Sequence, residues 1–566
     1  MTYGQGVDGD TIEVEVLNRR RRDLEALATQ HWDVLIVGGG ITGCGVLLDA
    51  VGRGLRAALV ESEDFAVGTS SRSSRLIHGG LRYLEQFRFG LVREALRERA
   101  RLLRLAPHLV RIEPFLTPLY GSPITRPYME AGLTLYDLLG AAADGGRHRY
   151  LSATEAMEIT PSLRRSGSRG ALVYHDGVED DARYPLAVAR TARGLGAVAV
   201  TRATVLRGIE QSGRLTRAVV RDELGGTDFD IRASHIIDAT GPWSGRAVGP
   251  FPDGTDTGSV RVSRGTHIVV RRERIESRYG LTLRIPGRVC FLVPWPRCWV
   301  IGTTDLEDRG APDRPAPTFA EIDSIVANVN ANLDVGLTRR DVLGAYAGLR
   351  PLAAEPRDKP TSTVRASREH RIQVDANGLV RIRGGKYTTY RLMAEQVVDT
   401  VLGPASARRR STTADLPLVG SDTRQRLAIL SQRLEDEHGL DTAQAEHLIA
   451  QHGAEAADVA ALGQALGLLR PLSADGPHLE VEVIRAVRDE SALSLDDVLS
   501  RRMRLSQERP DRAAAVAPRV ADLMAVELGW SAAERARSVD EYLAGAQREY
   551  GEPMGPSDSA GLMNAG

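Results

Sequence analysis

Of the 73 Lys and Arg side chains in this 566-residue chain, only Lys359 and Lys386 are lysines, which leaves 71 arginines. Against that background a lysine marks a position where a compact, titratable ammonium can do what a planar guanidinium cannot. Lys386 follows Gly384-Gly385 at the start of a stretch with helical spacing. Free backbone N–H groups and the positive end of a helix dipole would gather there, and the ammonium would add to a site for developing negative charge. A buried structural ammonium is the plain alternative. A second group of residues can hold phosphate without any charged side chain. Gly38, Gly39, Gly40 and Gly43 make a GxGxxG run between a short β-branched stretch and a helical one. Small residues at that junction let backbone N–H groups reach a pyrophosphate. By itself the pattern is weak, but Glu61 ends the next apolar run about twenty residues on, where a carboxylate would accept hydrogen bonds from a dinucleotide's ribose.

Three further features favour FAD over NAD. Gly68 to Ser74 (GTSSRSS) is dense in small hydroxyls and free amides, with Thr69, Ser70, Ser71, Ser73 and Ser74 suited to wrapping a pyrophosphate and flavin. Ala239-Thr240-Gly241 ends an apolar run and offers a second close backbone approach. The Gly384-Gly385 helix start would face the negative edge of a reduced flavin.

Positioning these residues takes a β-α-β unit: a strand over Trp32 to Val37, a helix over Ile41 to Val51 and a strand over Arg56 to Val60. Helices are predicted around Leu91 to Leu105 and from Asp181, a strand at Ala197 to Val200, a hairpin at Gly213 and a strand over His235 to Ala239. Val260 to Thr304 reads as a separate strand-rich region. Leu379 to Ile382 is a strand and Tyr387 to Leu402 a helix, so the nucleotide-binding fold closes only there. This gives an N-terminal extension over 1–31, FAD-binding segments over 32–110, 171–257 and 345–403, substrate-side segments over 111–170 and 258–344, helices over 404–550 and a disordered tail over 551–566.

TSSRSSRLIHGGLRYLE (Thr69 to Glu85), DATGPW (Asp238 to Trp243), GTHIVV (Gly265 to Val270), VPWPRCWVIGTTD (Val293 to Asp305), GLRPL (Gly348 to Leu352) and GGKYTTYR (Gly384 to Arg391) together closely resemble the FAD-dependent glycerol-3-phosphate dehydrogenases. The motifs run from about Trp32 to Leu402; the extension through His31 and the tail match none. The resemblance implies an α/β fold: a Rossmann-like FAD-binding domain of the glutathione-reductase and D-amino-acid-oxidase type, an inserted mixed β-rich substrate domain and a C-terminal all-α domain. It implies oxidation of sn-glycerol 3-phosphate to dihydroxyacetone phosphate, with electrons passing through FAD to a quinone. Arg350 and Arg365 match the phosphate-binding arginines, with Arg82 and Tyr83 lining the same pocket, since convergent guanidinium groups suit a phosphate dianion. Val205, Trp243, Asp305 and Thr388 join the cofactor contacts. Loss of the C2 hydroxyl proton needs a base near the flavin. His267 and His78 are both candidates, and Lys386 would orient the hydroxyl and stabilise charge. The motifs supply hydrogen bonds and dipoles but no attachment site, so the FAD is expected to be noncovalent. An oxidase giving electrons to oxygen and a non-catalytic flavin-binding sensor are the rival readings.

Composition agrees with a globular enzyme: 42% hydrophobic, 26% charged, net charge −1, with nothing that calls for nucleic acid. Cys44, Cys290 and Cys298 form neither CxxC nor a metal-like spacing, which fits a reducing, cytoplasmic setting. No run approaches a membrane span, so contact with the cytoplasmic face of a membrane would be peripheral. The basic run Arg19 to Arg22 reads as the solvated face of a leading helix rather than a lipid dock. A homodimer is left open.

Overall fold

The computed structural model describes residues 9–85, 87–121, 124–140, 146–245, 251, 261–285, 288–308, 314–352 and 369–550, without the side chains of residues 9–15, 82 and 261. The expected disordered tail, Lys359 and Arg365 lie outside the described residues.

His31–Val37 is buried on both faces from Val34 onward, as a central parallel strand must be. It pairs parallel with Ala57–Val60 on one side and Thr227–Asp238 on the other. Val198–Val200 and Val380–Gly384 extend this parallel array outward, and His370–Val374 closes one edge antiparallel. The hairpin of Ala203–Gln211 and Arg214–Asp222 turns at Ser212 and Gly213, both left-handed, and docks antiparallel on Thr227–Asp238. The parallel strands end together at Val37, Val60, Asp238 and Gly384. An open α/β sheet binds ligands at that edge.

A second sheet, of ten strands among the described residues, stands against this one. Its centre is long and mainly antiparallel, with Arg261–Arg271 paired to Val342–Leu352 and to Cys298–Gly302. Three expected segment boundaries fall inside its strands: Val110–Tyr120 crosses the break at 110/111, Ser168–Glu179 the one at 170/171, and Val342–Leu352 the one at 344/345. Leu76–Ile77, expected in the first FAD-binding segment, also pairs here, with Val178 and Gly177. A short apolar run has the same periodicity whichever sheet it joins, so the sequence carries no mark of these memberships.

Helices fill the chain from Arg424 to Tyr550. They share one apolar core with the second sheet, where Val269, Val293 and Val300 meet Leu448, Val487, Leu499 and Val520. The leading helix, Gly9–Thr29, is not merely solvated. Leu27 is buried with Trp32 and Val200, Arg20 pairs with Asp222 at 2.8 Å, and Arg19 donates to the carbonyl of Arg488 at 2.5 Å. Only Arg21 and Arg22 of the basic run stay exposed. Cys44, Cys290 and Cys298 are buried and unbridged.

Candidate active site

The glycines of the first turn work through contacts that a side chain would block. Gly38 has a φ of +111°, and a Cβ on it would stand 2.7 Å from the Ala239 carbonyl, so only glycine lets the two strand ends close together. A Cβ on Gly43 would lie 1.9 Å from the Gly38 carbonyl, which is how tightly the helix Ile41–Gly52 abuts the strand. Gly39 donates its N–H to Glu61 Oε2 at 2.6 Å, while Glu61 Oε1 accepts from Ser62 Oγ at 3.0 Å and the Glu63 N–H at 2.9 Å. Burial pushes the Glu61 carboxyl above its usual range, against the pull of those hydrogen bonds.

The Ser loop folds over this turn. The Ile41 N–H donates to Ser70 Oγ at 2.9 Å, and Thr69 Oγ1 donates to the Leu349 carbonyl at 2.5 Å. Ser73 is held at three atoms: its N–H donates to Asp181 at 2.8 Å, its Oγ accepts from the Arg75 N–H at 2.9 Å, and its carbonyl accepts from Tyr346 OH at 2.8 Å. Ser74 Oγ lies 2.8 Å from His267 Nε2, and the His267 ring stacks on Tyr346 at 5.0 Å between centroids. His267 is 2% exposed, and burial, with Arg350 and Arg75 nearby, holds it well below the usual histidine range. It is a neutral imidazole at pH 7.

One cavity of about 1130 Å³ joins these parts. Gly38, Gly40, Glu61, Thr69, Ser70, Ser73, Ser74, Val205, Gly241 and Trp243 line it, and so do His78, Tyr83, His267, Asp305, Arg350, Gly384, Gly385, Lys386 and Thr388. Gly39, Gly43 and Ser71 stand behind its wall and shape it instead. The Arg82 side chain and the whole of Arg365, the second expected phosphate arginine, lie outside the described residues.

At the far end, Gly384 and Gly385 have φ of +72° and +91°, and a Cβ on Gly385 would stand 2.5 Å from Met393 Sδ. The expected helix start is a 3-10 turn, Tyr387–Thr389, running into Tyr390–Leu402. Lys386 Nζ lies 3.8 Å from the centre of the Tyr83 ring. Buried Thr388 accepts the His78 N–H at 3.2 Å, and the His78 ring sits 6.5 Å from that of Phe291. Arg350 extends from Val342–Leu352 over Gly265, where a Cβ would come within 2.1 Å of its Nη2. Its guanidinium donates to Thr303 Oγ1 at 2.6 Å and the Thr304 carbonyl at 3.1 Å, with Asp305 at 3.9 Å. Asp305 in turn accepts the Ser263 hydroxyl.

Thr303, Thr304 and Gly265 thus fix Arg350, and none of them stood among the expected site residues. Their only signal was membership in GTHIVV and VIGTTD. Tyr346 gave no signal, because its contact with His267 arises from strand pairing rather than from local spacing.

A dinucleotide turn at the end of a parallel sheet, opening into a cavity walled by a second sheet, is the architecture of an FAD-dependent oxidoreductase. The family profile described as "FAD dependent oxidoreductase" matches residues 33–380, and one described as "C-terminal domain of alpha-glycerophosphate oxidase" matches residues 411–535. A glycerol-3-phosphate dehydrogenase of Mycobacterium leprae is 43% identical over 96% of this chain and 92% of its own. The mitochondrial glycerol-3-phosphate dehydrogenase of Mesocricetus auratus is 37% identical over 93% of this chain and 74% of its own. The crystal structure of the glycerol-3-phosphate dehydrogenase from Bacillus halodurans complexed with FAD superposes with a TM-score of 0.77 at 26% identity, covering 95% of this chain and 98% of that one. The chain belongs to the FAD-dependent glycerol-3-phosphate dehydrogenase family.

Proposed function

We propose that this chain oxidises sn-glycerol 3-phosphate to dihydroxyacetone phosphate and passes the electrons to a quinone. The observation that carries the reading is that one cavity is lined both by the dinucleotide elements, Gly38 and Glu61, and by Lys386, His267 and Arg350. The residues fit an FAD: the Gly38 and Gly43 contacts leave no room for side chains, and Glu61 and the Ser loop both line the cavity. FAD bound there noncovalently, among the Gly turn, Glu61, the Ser loop and Gly384-Gly385, supplies a two-electron acceptor for the C2 hydride.

The chain's residues do the rest. Arg350 binds the substrate phosphate, in an orientation that Thr303 and Thr304 set, and Tyr83 lines the same cavity. Lys386 places a compact positive charge by the C2 oxygen as the hydroxyl proton leaves. His267, whose ring is fixed by its link to Ser74, and His78 are the two candidates to take that proton, and both line the cavity. Among the described residues no helix is long and apolar enough to cross a membrane, which accords with peripheral contact.

Turnover of the purified protein with sn-glycerol 3-phosphate and a water-soluble quinone tests this reading. One dihydroxyacetone phosphate should form per quinone reduced, faster than with oxygen alone. Stoichiometric peroxide at an undiminished rate without quinone would make the chain an oxidase instead.

A further inference from the structure

The Ser loop is not held by its own domain alone. Asp64, fully buried just before the loop, accepts Arg501 Nε at 2.6 Å and the two Nη of Arg502 at 2.8 and 2.9 Å. The Ser71 carbonyl accepts Arg504 Nη1 at 3.1 Å. Arg504 also pairs with Asp181 and lies 3.3 Å from Asp180, and Asp181 accepts the Ser73 N–H. Arg75, whose N–H holds Ser73 Oγ, sends its guanidinium to Gln507 Oε1 at 2.7 Å. From Asp64 to Arg75, therefore, the loop is bonded again and again to one short segment of the helical domain, residues 501–508.

Two features set this contact apart from ordinary domain packing. Arg75 and Arg504 are each 1% exposed, and both have left-handed backbones, with φ of 55° and 64°. An L residue with a side chain adopts that conformation at a cost, and a fully desolvated guanidinium adds another unless it is well paired. The apolar core shared with the second sheet already attaches the helical domain without either expense. Strain of this kind persists where the surroundings over-determine a functional shape.

We propose that the helical domain is a positioning element of the cofactor site: Arg504, supported by Arg501, Arg502 and Gln507, sets the conformation of Thr69 to Arg75 that receives FAD. Cofactor binding and seating of residues 501–508 then form one coupled equilibrium, and the coupling is reciprocal. The proposal rests on the reading of the cavity as an FAD site. Arg504 touches no substrate, and none of residues 501–508 lines the cavity; it acts through Ser71 and Asp181.

The test uses the full-length protein stripped of flavin and reconstituted. Hydrogen exchange of peptides spanning 501–508 should slow when FAD is added, although the segment does not line the cavity. Arg504→Met should weaken FAD binding, read from quenching of flavin fluorescence, by about tenfold or more, the scale of one charge-assisted hydrogen bond. Arg504→Lys should recover part of that loss, and Gln507→Leu should give a smaller one. A merely structural arginine would lower the thermal midpoint of the apoprotein and leave FAD affinity unchanged. If Arg504→Met does not fold, the exchange experiment on the native sequence decides. Unchanged FAD affinity in folded Arg504→Met, or unchanged exchange at 501–508, overturns the proposal. Native protein that binds no FAD at all would instead overturn the reading of the cavity on which it rests.

Discussion

On the proposed reading, Arg350 and Lys386, which line one cavity, divide the electrostatic work on a substrate that carries a phosphate at one end and a reacting hydroxyl near the other. Arg350 is fixed by Thr303 and Thr304, so its replacement removes a preset phosphate partner rather than a mobile charge. Arg350→Ala is expected to cost about 2–3 kcal/mol in kcat/KM for sn-glycerol 3-phosphate while changing the rate with plain glycerol little. Steady-state kinetics with the two substrates check this, and an equal loss with glycerol would place Arg350 elsewhere. Lys386, with Nζ 3.8 Å from the Tyr83 ring centre, is a compact charge at a fixed point. Lys386→Met should keep FAD and fold, yet slow flavin reduction about 10²-fold or more, the scale of losing one preorganised stabilising group. Lys386→Arg should rescue poorly, since the planar fork cannot occupy the same position. Stopped-flow single turnover without oxygen reads both variants; a near-normal rate in the FAD-loaded Met variant rules out the role. That Lys386 would line the cavity was legible in the sequence, because lysine is so rare in this chain. The Tyr346 ring behind His267 was not, because it comes from a distant strand.

At the scale of elements, the first βα turn carries the tightest constraint in the site. A methyl group on Gly43 would overlap the Gly38 carbonyl, so the helix would have to retreat from the strand whose end it covers. Gly43→Ala is expected to purify with little or no flavin even where the protein stays folded, as judged by the ratio of flavin to protein absorbance beside the circular dichroism spectrum; full FAD occupancy would contradict the contact. This turn, the strands flanking it and the late helix after Gly385 were all readable in advance, because glycine positions, apolar runs and helical spacing are local signals. Membership of the second sheet was not. Ser168–Glu179 and Val342–Leu352 look like any buried strands, and their partners lie far away in sequence. Nor was the role of Gly265 readable, since the need for its missing side chain appears only once Arg350 lies across it.

Across the whole molecule, the seam between the FAD-binding part and the helices is unusually polar. His452 and His478 are buried there or nearby and His108 is half-buried, with His108 and His478 held at about 3 and His452 also lowered, chiefly by desolvation. Each is neutral when folded but protonates near pH 6.5 when unfolded. Below pH 6.5 the unfolded chain therefore binds more protons, so stability is full above that pH and falls as pH drops through the window below it. His108 and His478 together contribute a loss of about 2–3 kcal/mol between pH 7.5 and 5.5, set against the opposite contribution of carboxyls that burial raises, such as Glu61 and Glu179. His478→Gln should therefore lessen the acid loss of urea midpoint relative to the native sequence, and an identical pH profile would contradict the buried neutral state. The helical domain could be counted from sequence, but its bonds to the Ser loop could not, because Arg501, Arg502 and Arg504 look like any of the chain's 71 arginines until their partners are seen. On the proposed function, this assembly takes a hydride from glycerol 3-phosphate. The most direct measurement mixes the FAD-loaded protein, without oxygen or quinone, with one equivalent of sn-glycerol 3-phosphate and follows the visible flavin band and the product together. The band should bleach within a single turnover as one equivalent of dihydroxyacetone phosphate appears; a band that stays oxidised in a folded, FAD-loaded protein would contradict the account.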